Sequence, residues 1–201
     1  MSFHPLMAYD PARFQKSERR FAEEGPPFTL TPDRRAKLDE ILSNYPPDQK
    51  RSAVLAALYL VQEQQGYITG NGMRHIAPIL DLTPAEVEDV ATYYVMFFKE
   101  KVGKYVLQVC RTLSCALNGA ERVTEELSEK LGIQVGETDA SGMFTLLEFE
   151  CLGACDRAPI VMVNNEHWHE RVNPEDVGKL LEDIKTRGDR AFGGCFLKVE
   201  R

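Results

Sequence analysis

GKYVLQVC, residues 103–110, is the stretch from which the fold reads. After Gly103 the apolar spacing changes from a helical to an extended pattern. Lys104–Val109 reads as a strand that delivers Cys110. Downstream, Val123, Leu127 and Leu131 recur at spacing four, a helix that Gly132 ends. Asp139-Ala140-Ser141-Gly142 is a turn, and Met143–Glu150 is a second strand that delivers Cys151. Ile160–Val163, Asn164-Asn165 and Glu166–Val172 predict a hairpin. Asn173-Pro174 opens a last helix with Val177, Leu180, Leu181 and Ile184 on one face. Strands followed by packing helices at this length predict a compact α/β layer.

Upstream of Gly103 the pattern is helical. Thr31-Pro32 starts a helix that carries Leu38, Ile41, Leu42 and Tyr45 on one face, and Pro46-Pro47 ends it. Gln49–Gln65 is apolar nearly all round at Ala53–Val61, so it is expected to be buried on most sides. Asn71 is the expected cap of a short helix with Met73, Ile76, Ala77 and Leu80, and Gly70-Asn71-Gly72 reads as part of a turn. Thr83-Pro84-Ala85-Glu86 is a capping box that opens a fourth helix through Val87, Val90, Ala91 and Tyr94. The expected organisation is an extended segment at 1–30, a small helical bundle at 31–98, an α/β domain at 99–187 and a tail at 188–201. The fold class is α+β.

The chain has 201 residues with 24 Lys and Arg against 31 Asp and Glu, a formal charge of −7. That balance argues against nucleic acid as a partner, which needs a basic footprint. Ala53–Val61 falls far short of the ~20 residues of a spanning helix, so direct membrane insertion is not expected. Met1–Phe21 has no apolar core of signal-peptide length and mixes Asp10 and Glu18 with its basic residues. A reducing compartment is expected, where five cysteines suit metal better than disulfides.

Cys110 and Cys115 are separated by four residues, and Cys151 and Cys155 by three. Each pair follows a predicted strand. If the strands run parallel, both loops lie at one end of the sheet and four thiolates converge. Zinc takes four thiolates, and so does a 2Fe-2S cluster. Structural zinc more often uses two-residue gaps, so the spacing favours iron–sulfur while leaving zinc open. Gly153 lets the backbone approach, so that N–H groups can donate to sulfur. Arg111 and Arg157 oppose Glu150 and Asp156 near these cysteines, a local sum near zero. One unit charge at ~10 Å in an effective dielectric of ~20 is worth about 1.7 kcal/mol, or about 70 mV for one electron.

VCRTLSC (109–115) and ECLGACDRAP (150–159) resemble the two cluster-binding segments of the 24 kDa, or E, subunit family of respiratory NADH:quinone oxidoreductase (complex I). VQEQQGYI (61–68), VATYYVMF (90–97), GKYVLQVC (103–110) and GETDASGMFTL (136–146) are similar to that family too. The resemblance runs from about Tyr45 to Ile184 and implies a helical part followed by a thioredoxin-like ferredoxin domain. It implies one 2Fe-2S cluster of low potential, with Cys110, Cys115, Cys151 and Cys155 as ligands. It also implies a flavin-bearing, NADH-oxidising partner (51 kDa, F) that binds FMN and NADH, and further peripheral-arm subunits. The chain itself shows neither a G-x-G-x-x-G nor a phosphate-binding G-x-x-x-x-G-K-[ST] motif, so no independent active site is expected in it. The expected location is cytoplasmic, peripheral to the inner membrane through the complex. The equivalent small subunit of an NAD-linked hydrogenase or formate dehydrogenase is the alternative within this class. A zinc-stabilised interaction module without redox activity is the alternative from another.

The remaining features read more plainly. His167 and His169 share one strand face and are expected to be exposed edge-strand residues rather than metal ligands. His75 is expected at the surface and Cys195 as a free thiol. Tyr93, Tyr94, Met96, Phe97 and Phe98 read as core packing, with a partner-facing surface as the other reading.

Overall fold

The computed structural model describes residues 24–192. The chain divides into two compact units at Lys101/Val102. Cys195, most of the N-terminal segment and most of the tail lie outside the described residues.

The first unit is helical: α1 (Pro32–Leu42), α2 (Val54–Gln65), α3 (Gly70–Ile76) and α4 (Pro84–Tyr93). Leu38, Leu58, Val61, Ile76, Leu80, Val87 and Phe97 form its core. Each such buried side chain contributes about 1.5–3 kcal/mol. The capping box at Thr83 and Glu86 is formed as expected. Three details differ from the sequence reading. α1 ends at Leu42, which leaves Tyr45 beyond it and 36% exposed. Thr69, not Asn71, caps α3: its extended backbone lets the hydroxyl accept from the Gly72 N–H, while Asn71 ties down Gly25 and Pro26 carbonyls. Gly70-Asn71-Gly72 is thus the first turn of a helix. Gly72 is required there because a Cβ would stand 2.7 Å from Val61 Cγ1 of α2. Of the aromatic run, Phe97 is buried, Tyr94 and Met96 pack against the core, and Tyr93 is exposed. His75 is half-buried, with its Nε2 accepting from the Leu30 N–H at 3.3 Å.

The second unit contains β1 (Tyr105–Cys110), α5 (Leu113–Leu117), α6 (Ala120–Leu131), β2 (Phe144–Phe149), β3 (Val161–Val163), β4 (His167–His169) and α7 (Pro174–Arg187). The sheet order is β2-β1-β3-β4, with β2 parallel to β1 and the β3–β4 hairpin antiparallel. β1 is buried along its whole length. Tyr105, Leu107 and Val109 join Val123 and Leu127 of α6 and Val177, Leu181 and Ile184 of α7 in one core. The hairpin turns at Asn164-Asn165, both with positive φ, as a two-residue turn demands. The buried Gln108 fastens this turn to β1. Its Nε2 donates to Asn165 Oδ1 at 2.6 Å and its Oε1 accepts from the Asn165 N–H at 2.9 Å. No helix among the described residues is long and apolar enough to cross a membrane.

Candidate metal centre

β1 and β2 run parallel in register from Tyr105↔Phe144 to Cys110↔Phe149. Both therefore end at the same edge of the sheet. Cys110 is the last residue of β1, and Cys151 lies two residues beyond the end of β2. Cys115 is carried by α5, a single helical turn that the sequence reading missed because five residues are too few to show a period. That turn packs against the short 3-10 segment Cys155–Arg157. The four cysteines singled out from spacing thus meet at one edge of the second unit, and all four are free thiols.

They meet as two pairs. Cys151 Sγ and Cys155 Sγ are 3.5 Å apart. Cys110 and Cys115 act on each other electrostatically, and the charge of Cys155 is felt at Cys115. In a tetrahedral site with metal–sulfur bonds of ~2.3 Å, two sulfurs on one metal are ~3.8 Å apart. The spacing of the outer pair therefore suits two ligands of one metal. No three His, Cys, Asp or Glu side chains among the described residues converge as a site for a single ion. Two sulfur pairs facing each other are what a two-metal cluster needs, one pair for each iron.

Donors surround the sulfurs. The Gly153 N–H points at Cys151 Sγ at 3.4 Å, at a residue with φ +81°. Thr112 Oγ1 lies 3.3 Å from Cys110 Sγ. Backbone groups of Thr112 and Leu152 also bond Cys110, and that of Ile160 bonds Cys115. Burial raises the Cys110 thiol, yet the Thr112 and Leu152 donors outweigh it and hold the group below its ordinary value. Burial pushes the Cys115 thiol up to about 12. In the outer pair, the Gly153 N–H holds Cys151 down, and the bond with Cys151 pushes Cys155 up. In each pair one thiol is shifted down and the other up. Such a set releases protons when it takes up a metal.

Two anchors fix the outer loop. Trp168 Nε1 donates to the Leu152 carbonyl at 3.0 Å, and Leu152 and Ala154 pack against the core. Arg157 pairs with Glu170 at 2.7 Å and Asp156 at 3.5 Å, while Arg111 pairs with Glu150 at 3.3 Å and Glu148 at 3.7 Å. The charge balance expected from sequence is corrected by these contacts. Glu148 and Glu170, distant from the cysteines in the chain or hidden in a strand, join the other two carboxylates against two guanidinium groups. Each guanidinium stands between two carboxylates. Thr112 and Trp168 are the residues that sequence reading missed. Leu152 is brought to Trp168 by the fold, and Thr112, two residues from Cys110, is turned onto the sulfur by the start of α5.

The two histidines depart from expectation as well. They stand on the edge strand β4, but half-buried rather than exposed. His167 stacks on Phe192 at 4.4 Å and His169 meets the same ring edge-on at 6.0 Å. Burial lowers both imidazole pKa values.

Known proteins share this arrangement of sequence. The sequence profile of the thioredoxin-like 2Fe-2S ferredoxin family matches residues 38–185. NADH-quinone oxidoreductase subunit 2 of Thermus thermophilus is 39% identical over 165 residues, covering 78% of this chain and 91% of that protein. The E subunit of NADH-quinone oxidoreductase from Pseudomonas aeruginosa is 37% identical over 155 residues, or 77% of this chain and 92% of that one. Among solved structures, an NAD+-reducing NiFe-hydrogenase superposes with a TM-score of 0.58 at 20% identity over 66% of this chain. The match takes up 22% of that hydrogenase chain, and the likeness is one of fold. Four paired thiols at the edge of such a sheet, a family profile spanning both units and relatives aligned over most of their length agree: the chain belongs to the thioredoxin-like 2Fe-2S ferredoxin family, as a relative of the E subunit of NADH-quinone oxidoreductase.

Proposed function

We propose that Cys110, Cys115, Cys151 and Cys155 ligate one 2Fe-2S cluster, and that the chain is the electron-transfer subunit of an NADH:quinone oxidoreductase. The observation that carries this reading is the meeting of two sulfur pairs, one from the end of β1 and one from the loop after β2. Held by these four thiolates, the cluster would supply one-electron redox chemistry. The chain's own residues do the rest. β1 and α5 bury the inner pair at 2% and 1% exposure and so keep water from it. Backbone and hydroxyl donors offset negative charge on sulfur.

In this reading FMN and NADH belong to a flavin-bearing, NADH-oxidising partner (51 kDa, F). Single electrons pass between that flavin and this chain. The exposed rim at Cys151 and Cys155 is the side open to such exchange. Other peripheral-arm subunits hold the chain at the cytoplasmic face of the inner membrane. The equivalent subunit of an NAD-linked hydrogenase or formate dehydrogenase would use the same four ligands. Co-purification from the native source separates these, because the flavoprotein is expected to come with quinone-reducing subunits rather than with a hydrogenase or a formate dehydrogenase.

The direct test is purification without air. A red-brown protein that bleaches with dithionite and holds two irons per chain is expected. A colourless protein with one zinc per chain overturns the electron carrier and leaves an interaction module.

A further inference from the structure

Thr112 occupies the N-cap position of α5, with an extended backbone at φ −77° and ψ 170°. A threonine there ordinarily turns its hydroxyl onto the N–H groups of the first helical turn, an interaction worth about 1 kcal/mol. Thr112 makes no such bond. Its Oγ1 is instead 3.3 Å from Cys110 Sγ. Of the other threonines at this position, Thr69 and Thr83 cap α3 and α4 and Thr31 leaves α1 uncapped. The hydroxyl of Thr112 is turned to a sulfur rather than to the backbone of its helix.

From this geometry we infer that Thr112 is a positioning residue that sets the reduction potential of the centre, by donating its hydroxyl hydrogen to ligand sulfur. The inference rests on the iron–sulfur reading above. Toward a thiolate the hydroxyl can act only as donor. A donor to sulfur favours the more negative, reduced state over the oxidised one. Water does not take its place at Cys110, which is 2% exposed. The other donors near the sulfurs are mostly backbone N–H groups, fixed by the fold whatever the side chains. Ser114 bonds the exposed Cys155, where solvent substitutes for a lost hydroxyl. Thr112 is thus the donor whose removal solvent is least able to repair.

The test is a potentiometric titration of the iron-loaded full-length chain, followed by visible absorption and electron paramagnetic resonance. Thr112→Val keeps the shape and removes the hydroxyl, and Thr112→Ser keeps the hydroxyl. The valine variant is expected to be harder to reduce by about threefold to tenfold in the reduction equilibrium, with tenfold equal to ~59 mV for one electron. The serine variant is expected to stay within twofold of the parent, and Ser114→Ala to shift less than Thr112→Val. A valine variant that titrates with the parent overturns the inference, as does a serine variant that shifts with the valine one. If the valine variant takes up no iron, Thr112→Ala is read in its place against the same two outcomes. A parent chain that carries zinc and no colour instead defeats the iron–sulfur reading itself, so the two failures are distinct.

Discussion

Cys110 and Cys115 grow out of the buried end of β1 and are 2% and 1% exposed, whereas Cys151 and Cys155 stand in solvent on a loop with little regular structure. The inner pair belongs to the core: its sulfurs are packed whether or not a metal is present. The outer pair belongs to the surface, and its position depends on Gly153, on the Trp168 bond to Leu152 and on Arg157 with its carboxylates. One half of the site is therefore built by folding. The other half is held by a few contacts that a metal would reinforce. That division separates what each cysteine does for stability from what it does for ligation.

Single alanine replacements break the comparison most sharply. Cys115→Ala and Cys151→Ala are both expected to abolish the visible absorption of the loaded protein. In the metal-free protein they should part. Cys115→Ala opens a cavity and costs about 1–2 kcal/mol in urea unfolding, while Cys151→Ala stays within about 0.5 kcal/mol. Equal losses would mean that the two pairs are not differently built. Cys195→Ala should leave the spectrum unchanged.

The anchors of the outer loop sharpen it next. A Cβ at Gly153 would meet nothing within 4 Å, so Gly153→Ala tests backbone conformation alone at φ +81°. It should cost about 1–2 kcal/mol in loop order and slow iron uptake. Trp168→Phe keeps an aromatic side chain but deletes the bond to Leu152 and part of the ring's packing, a loss of at least about 1 kcal/mol. Faster iron release to a chelator is the expected readout for both, with far-ultraviolet circular dichroism unchanged. Unchanged release from both variants would show that the loop is held by something else.

The smallest effect lies at the opposite end of β2, where Asp139 serves as a control. Burial raises its carboxyl pKa, but the Ser141 hydroxyl and the Phe144 and Met143 N–H groups outweigh this and hold it below the ordinary value. A depressed carboxylate stabilises the fold above its unfolded pKa, and that stabilisation is lost as pH falls through the lower folded value. Acid unfolding below about pH 4 should therefore be blunted in Asp139→Asn, with no change in the metal centre. An altered visible spectrum in that variant would show that the two ends of the sheet are coupled.

Features set by neighbouring residues were legible in the sequence. The capping box at Thr83/Glu86, the helix start at Asn173-Pro174, the Asn164-Asn165 turn and the strand before each cysteine pair all act within a few residues. Gly132 ends α6 with φ +65° as its position suggested. What sequence hid depends on partners far along the chain. Asn71 looked like a cap, but residues 24–26 draw it into other bonds and leave the cap to Thr69. His167 and His169 looked exposed on an edge strand, but Phe192 returns to cover them. Thr112 carried no signal because α5 itself was not read from the sequence, and it is the start of that helix that turns its hydroxyl onto Cys110.

Gln108 gives the hairpin a single seat. Slide β3 by one residue along β1 and the Gln108 amide loses its mate where solvent does not reach, at a cost of about 1–3 kcal/mol for each stranded group. The same slide would turn Val161 and Val163 outward. The stretch from residue 150 to residue 160 is consequently strung between two fixed posts, the end of β2 and the start of β3. A polar side chain with no sulfur near it thereby limits how far the outer thiols can wander before any metal arrives.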